Sequence, residues 1–402
     1  MSVSVATTRT APRPRVNAQL DIAKPRLAIY MHDLSGGGIE RQSLVIAQEL
    51  RRRGGDVTLV LHRLRGPLRD QLPAGLRVVD LESRRTWDDV PRLAAFLRRD
   101  RPDILVANFD LNNIAALLAK AISLSPTKVV ICQHNPLSRS FYATERRLLR
   151  YVGLGYRALA PFVSMAVGVS PGLADELHRL GGLPRERTVT ISNPVIGPDF
   201  ARSAAAPIEH PWLNDPTRPL FVTAGRLVAQ KDQATLLRAL ALHLNHRDMR
   251  SRLLILGEGP LEAELKALSK SLGLDQSVDF LGFRPDAPAW FSHADAFILC
   301  SRSEGFGNVI VEALGCGTPV IASDCTYGPR DILEGGRFGL LFPPGDPVAL
   351  ARAMDEVRSL HTRFPAETLC QRASAFTYDA CAARYVEVFQ ALTPKRAWTA
   401  PA

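Results

Sequence analysis

Apolar residues in this chain gather into short unbroken runs, and between the runs they return every three or four positions. The runs at residues 26–31, 57–61, 77–79, 104–106, 129–132 and 165–170 read as buried strands, and the segments between them as helices. Leu44, Ile46, Ala47 and Leu50 share one helical face, and 90–99, 112–123 and 172–177 are further helical stretches. The pattern restarts with runs at 220–223, 253–256, 278–283, 296–299 and 320–322, and a last helix is expected over 378–391. Strands alternating with helices predict parallel sheets, so the fold class is α/β, with doubly wound domains.

Length sets the number of domains. A chain of 402 residues can form two domains of about 200, each burying its own core. The proline-rich, polar stretch 196–219 reads as the linker between a first domain, 25–195, and a second, 220–376, with the closing helix at 377–392. Residues 1–24 lack an apolar core and read as a disordered arm rather than a secretory signal.

Composition adds three constraints. Hydrophobic residues at 46% and charged residues at 22% are ordinary for a soluble globular protein. The net charge of +10 suits phosphorylated small molecules or an anionic membrane surface, and no array of basic and aromatic residues points to nucleic acid. The cysteines at 132, 300, 316, 325, 370 and 381 show no C-x-x-C and no histidine at metal spacing, so they read as free thiols in a reducing cytosol, with no metal site. No run approaches the roughly 20 apolar residues of a membrane-spanning helix.

The candidate chemistry centres on residues 301–323, S-R-S-E-G-F-G-N-V-I-V-E-A-L-G-C-G-T-P-V-I-A-S. A glycine-rich loop between two strands opens into a helix near Asn308; Gly305 and Gly307 allow tight turns and close approach, and the helix start suits a phosphate. Glu304 precedes the loop, and Glu312 lies among apolar neighbours, where a carboxylate needs a hydroxyl or cation partner. Upstream, in Gly225-Arg226-Leu227 and Lys231, Arg226 can grip phosphate oxygens in a bidentate fork and Lys231 adds a point charge, a fixed cation pair that makes a metal unnecessary. Gly36-Gly37-Gly38 forms a glycine turn after the first strand, without the G-x-G-x-x-G of dinucleotide enzymes. His134 stands at a strand's carboxyl end, where open α/β sheets bind ligands.

G-R-L followed by K, then G-E-G-P at 257–260, F-L-G-F at 280–283 and the pair Glu304-x7-Glu312 occur in an order that resembles the retaining nucleotide-sugar glycosyltransferases related to glycogen synthase, glycosyltransferase family 4. The resemblance spans residues 26–391 and implies the GT-B fold: two Rossmann-like domains facing an interdomain cleft. It implies that Glu304 meets the donor sugar's hydroxyls, Glu312 the ribose, and Arg226 and Lys231 the diphosphate. It further implies that Gly225, Gly257, Gly305, Phe306, Gly307 and Asn308 border the donor, that the backbone at Phe283 reads the base, that Gly36, Gly37 and Gly38 approach phosphates and acceptor, and that His134 lies near the donor sugar. Glu304, His134, Arg226 and Lys231 are the expected catalytic set, with no cofactor beyond the donor itself.

The run at 323–333 resembles a variant found in bacterial transferases that extend lipid-linked or surface polysaccharides, which points to a UDP-sugar of galactose, N-acetylgalactosamine or glucose type. The stretch 138–161 interleaves Arg139, Arg146, Arg147, Arg150 and Arg157 with aromatic and leucine side chains, and is expected to dock a cytoplasmic enzyme on the inner face of the membrane beside its acceptor. Two alternatives stay open: a nucleotide-sugar epimerase or hydrolase on the same scaffold, and a non-catalytic nucleotide-binding, membrane-docking protein. A nicotinamide-dependent oxidoreductase is disfavoured by the missing glycine fingerprint.

Overall fold

The computed structural model describes residues 24–138, 151–215, 217–247 and 250–399. The arm expected over 1–24 falls almost wholly outside them. Two parallel sheets organise the described chain. The first contains β1 (Arg26–Met31), β2 (Asp56–Leu61), β3 (Arg77–Asp80), β4 (Ile104–Asn108), β5 (Lys128–Gln133), β6 (Met165–Gly168) and β7 (Thr188–Thr190), in the order β3-β2-β1-β4-β5-β6-β7. The second contains β8 (Leu220–Ala224), β9 (Arg252–Leu256), β10 (Val278–Gly282), β11 (Ala296–Leu299), β12 (Val320–Ser323) and β13 (Leu340–Phe342), in the order β10-β9-β8-β11-β12-β13. In each the order reverses beside the first strand, and ligands of open α/β sheets bind at that switch point, at the strands' carboxyl ends.

The unbroken apolar runs follow from burial on both faces. Leu27, Ile29 and Met31 of β1 face the core shared with Leu44, Ala47 and Leu50 of α1 (Gly38–Arg52). Ala28 and Tyr30 face the opposite core, with Leu93 of α2 (Asp89–Asp100) and Leu117 of α3 (Asp110–Ser123). The C-terminal helix (Tyr378–Leu392) places Ala382, Tyr385 and Phe389 in the same core as α1, so the chain's end is built into its first half.

The residues between the sheets are more ordered than a bare connector. A short helix (Phe200–Ala204) and a 3-10 turn (Pro211–Asn214) occupy this stretch. Ile208, Trp212 and Leu213 pack on the second core, with the Arg252 guanidinium 5.4 Å from the Trp212 ring centre. Prolines signalled the breaks in secondary structure; the apolar residues among them determine where the segment docks.

Candidate active site

The loop after β11 carries the motif. Ser301 Oγ donates to Glu304 Oε1 at 2.5 Å, and the Lys231 ammonium lies 2.5 Å from the same oxygen. Glu304 is buried and Lys231 mostly so. The two loops that present this pair are stitched together: Arg302 N donates to Gln230 O at 2.8 Å and Gln230 Nε2 to Ser303 O at 2.7 Å. Asp232, left-handed at φ 48°, sits in the same junction and accepts from Thr235 Oγ1 and the Arg302 guanidinium. Arg226 leaves the end of β8 with its side chain exposed, while Gln233 Nε2 donates to its carbonyl at 3.1 Å.

The G-E-G-P loop closes against this unit. A Cβ at Gly257 would stand 2.0 Å from the Gly225 carbonyl oxygen, so only glycine fits. Gly257 N donates to Gly282 O at 2.7 Å, and Phe283 N to Glu258 Oε1 at 3.2 Å. Phe283 is left 64% exposed at the end of β10. The three loops after β8, β9 and β10 therefore form one hydrogen-bonded rim.

The first half meets this rim directly. A Cβ at Gly305 would lie 1.8 Å from the His134 carbonyl oxygen, so the two backbones nearly touch. Asn193 Nδ2 donates to Asn308 Oδ1 at 3.0 Å, and Gly38 lies beside the Asn308 amide. Gly307, left-handed at φ 104°, starts the motif helix (Asn308–Gly315). The His134 ring pairs through Nε2 with Asn108 Oδ1 at 3.0 Å; burial pushes it down to about 4, so it is neutral near pH 7. Lys231, Glu304, Gly305, His134, Asn308 and Gly38 are thus brought together across the two halves.

Phe306, Gly37 and Glu312 have surroundings that the sequence alone did not show. The Phe306 ring is buried in the second core, edge-on to Phe376 with centroids 5.5 Å apart, so its side chain anchors the loop. The Glu40 carboxylate, which accepts from Ser35 Oγ at 3.1 Å, overhangs Gly37: a Cβ there would be 2.5 Å from Glu40 Oε2. The amino end of α1 therefore already faces an anion of its own chain, with Gly36 behind it at φ 91°. Glu312 is half-buried, and desolvation pushes its carboxyl up to about 7.

Sequence reasoning missed a polar row on the first sheet's carboxyl rim. Asp89 accepts from Tyr30 O–H at 2.5 Å and pairs with His62 Nδ1 at 2.9 Å, and His32 stacks on His62 with centroids 4.4 Å apart. Next along the rim, Asp110 accepts from Gln133 Nε2 at 2.6 Å, and burial pushes its carboxyl up to about 6. The period-two spacing of Tyr30, in β1, and His32, just past its end, was the available signal, but it needed the register with β2 to bring in His62, just past that strand's end. Of the basic stretch, residues 139–150 lie outside the described residues. In its described part, the Arg157 guanidinium is bound to the carbonyls of Arg179 and Leu180, and Leu154 is 55% exposed. Among the described residues no helix is long and apolar enough to cross a membrane.

Residues 36–196 match the model of Glycosyltransferase Family 4, and residues 218–359 match Glycosyl transferases group 1. The lipopolysaccharide core biosynthesis glycosyltransferase LpsD of Rhizobium meliloti is 28% identical over 376 residues, 92% of this chain and 99% of that protein. The structure of the lipopolysaccharide outer core galactosyltransferase WaaB superposes with a TM-score of 0.73 at 19% identity, covering 91% of this chain and 99% of that one. Anabaena HepE in complex with UDP and glucose superposes with a TM-score of 0.70 at 21% identity, over 91% of this chain and 100% of that one. This chain belongs to the two-Rossmann (GT-B) glycosyltransferases, its first half of the Family 4 kind and its second of group 1.

Proposed function

We propose that this glycosyltransferase moves a hexose from a UDP-sugar to a hydroxyl of a lipid-linked or surface-polysaccharide acceptor, with retention at the anomeric carbon and without a metal. The observation that carries the reading is the contact between Lys231 and Glu304 beside an exposed Arg226. An ammonium has three donors, and one on Glu304 leaves others for a phosphate oxygen. Arg226 adds a fork suited to the second phosphate, so the charge of a leaving UDP is met by fixed cations. Glu304 accepts from hydroxyls of the donor hexose, and Phe283 offers a ring and a backbone edge to the base. Glu312, with its raised carboxyl pKa, can both donate to and accept from ribose hydroxyls.

The acceptor oxygen attacks the anomeric carbon from the face that UDP leaves. The C1–O bond to phosphate breaks with its electron pair on UDP, the new C1–O bond forms, and the acceptor's proton passes to the departing phosphate oxygen. No side chain need act as a covalent nucleophile, in keeping with a Glu304 occupied by Lys231 and Ser301. The names of LpsD and WaaB support a lipopolysaccharide-type acceptor, and the HepE complex supports UDP as the nucleotide. We place the enzyme on the inner face of the cytoplasmic membrane, with Leu154 within the basic stretch as an apolar contact.

The test is a donor screen in EDTA with UDP-galactose, UDP-N-acetylgalactosamine and UDP-glucose against lipid-linked acceptors, with the product's anomeric configuration read by NMR. An α-linked product from an α-linked donor supports the reading. A β-linked product, free sugar as sole product, or activity abolished by EDTA overturns it.

A further inference from the structure

The loop after β12 makes a contact that the donor reading leaves unused. Tyr327 is left-handed at φ 65°, a conformation that a residue with a β-carbon keeps only when its surroundings impose it. Those surroundings are the motif loop: Ser303 and Thr326 form a parallel bridge, Glu304 N donates to Thr326 O at 3.4 Å, and a Cβ at Gly328 would stand 1.8 Å from the Phe306 carbonyl oxygen. From this base the Tyr327 side chain crosses to the other half. Its hydroxyl donates to Glu176 Oε1 at 2.8 Å, and its ring lies against Gly172, where a Cβ would come within 2.0 Å of the ring. Both partners belong to the helix Pro171–Arg179, which follows β6.

Glu176 is 1% exposed, and its other oxygen accepts from Leu137 N at 2.5 Å, on the segment that begins with His134. One buried carboxylate therefore ties the Glu304 loop of the second half to the His134 segment of the first. When the halves separate, Glu176 keeps its backbone donor, while the Tyr327 bond, whose donor and acceptor lie on opposite halves, is lost outright. Burial and the adjacent carboxylate push the phenol well up, so it remains a donor across the physiological range.

We propose that Tyr327 and Glu176 form an interdomain clasp that holds Glu304 and His134 in the closed register required for transfer, making both positioning residues of the reaction. The role in transfer rests on the donor reading above; the role in closure does not. A hydrogen bond from a neutral phenol to a buried carboxylate is among the stronger ones a protein makes, and here it forms across a seam.

Two variants test it, one from each half. Tyr327→Phe removes the hydroxyl and keeps the ring. Gly172→Ala keeps the hydroxyl and forces the ring away. Each is expected to lower kcat/KM for transfer by about tenfold or more, to leave UDP affinity within about twofold, and to enlarge the ligand-free radius of gyration in small-angle X-ray scattering. A residue that serves stability alone would lower the melting temperature and leave scattering unchanged. Scattering of both variants superimposable on wild type overturns the clasp, whatever the kinetics. If the wild-type protein transfers no sugar from any UDP-hexose, the donor reading fails, and the scattering comparison still decides the clasp.

Discussion

Lys231 and Glu304 are 73 positions apart in the chain and 2.5 Å apart in space, joined through loops that leave adjacent strands β8 and β11. Neither side chain is well hydrated, so removing one strands the other. Lys231→Met or Glu304→Leu should each destabilise the protein, on the order of 3 kcal/mol, because an uncompensated charge stays buried. The double variant should recover much of that stability and none of the transfer activity. Calorimetric melting paired with a transfer assay checks this, and a double variant as unstable as the worse single one counts against the pairing.

Arg226 is expected to behave differently. Its exposed guanidinium carries no part of the fold, so Arg226→Ala should leave the melting temperature near wild type while weakening UDP binding by roughly 10- to 100-fold, the scale of a lost charge-assisted bond. Titration calorimetry with UDP reads it directly. Unchanged affinity would place the diphosphate elsewhere.

Two phenylalanines that look alike in the sequence should separate cleanly. Phe306→Ala empties a packed position against Phe376 and should cost about 3–5 kcal/mol of stability. Phe283→Ala, at an exposed ring, should cost little stability and weaken UDP by about 1–3 kcal/mol if the ring stacks on the base. Urea melts and UDP titrations on both variants test the contrast.

Glu312 ties stability to pH. Its carboxyl moves from an ordinary 4.5 to about 7 in the folded chain, so the native state holds the proton more tightly than the unfolded state. The stabilisation is fully present below about pH 4.5 and is lost as pH rises through about 7. His134, moved from 6.5 to about 4, works in the opposite sense: stability falls as pH drops from 6.5 toward 4. The two effects offset between pH 5 and 6.5, so the wild-type melting temperature should be nearly flat there and fall toward pH 7, while Glu312→Gln should rise from pH 5 to 6.5 and level off; parallel curves would contradict the assignment.

Most of the fold was legible because its signal is local. Unbroken apolar runs mark strands covered on both faces, and the four glycine-bearing motifs lie at the ends of such runs. What stayed hidden depends on contacts between distant residues. β13 spans only Leu340–Phe342, too short for a periodic signal beside Gly339 and two prolines. The His62 and Asp89 pair, Glu40 over Gly37, and the clasp from Tyr327 to Glu176 each require knowing which elements become neighbours. Phe306 shows a different limit: membership of a motif does not reveal whether a side chain points toward the ligand or into the core.

On this reading the rim of β8, β9, β10 and β11 binds a uridine diphosphate through side-chain cations. Titration calorimetry of UDP, GDP, ADP, CMP and NAD, all in EDTA, tests it most directly. Binding of UDP above the others, weakened in Arg226→Ala, is the predicted result; binding of NAD alone, or UDP binding that disappears in EDTA, would contradict it.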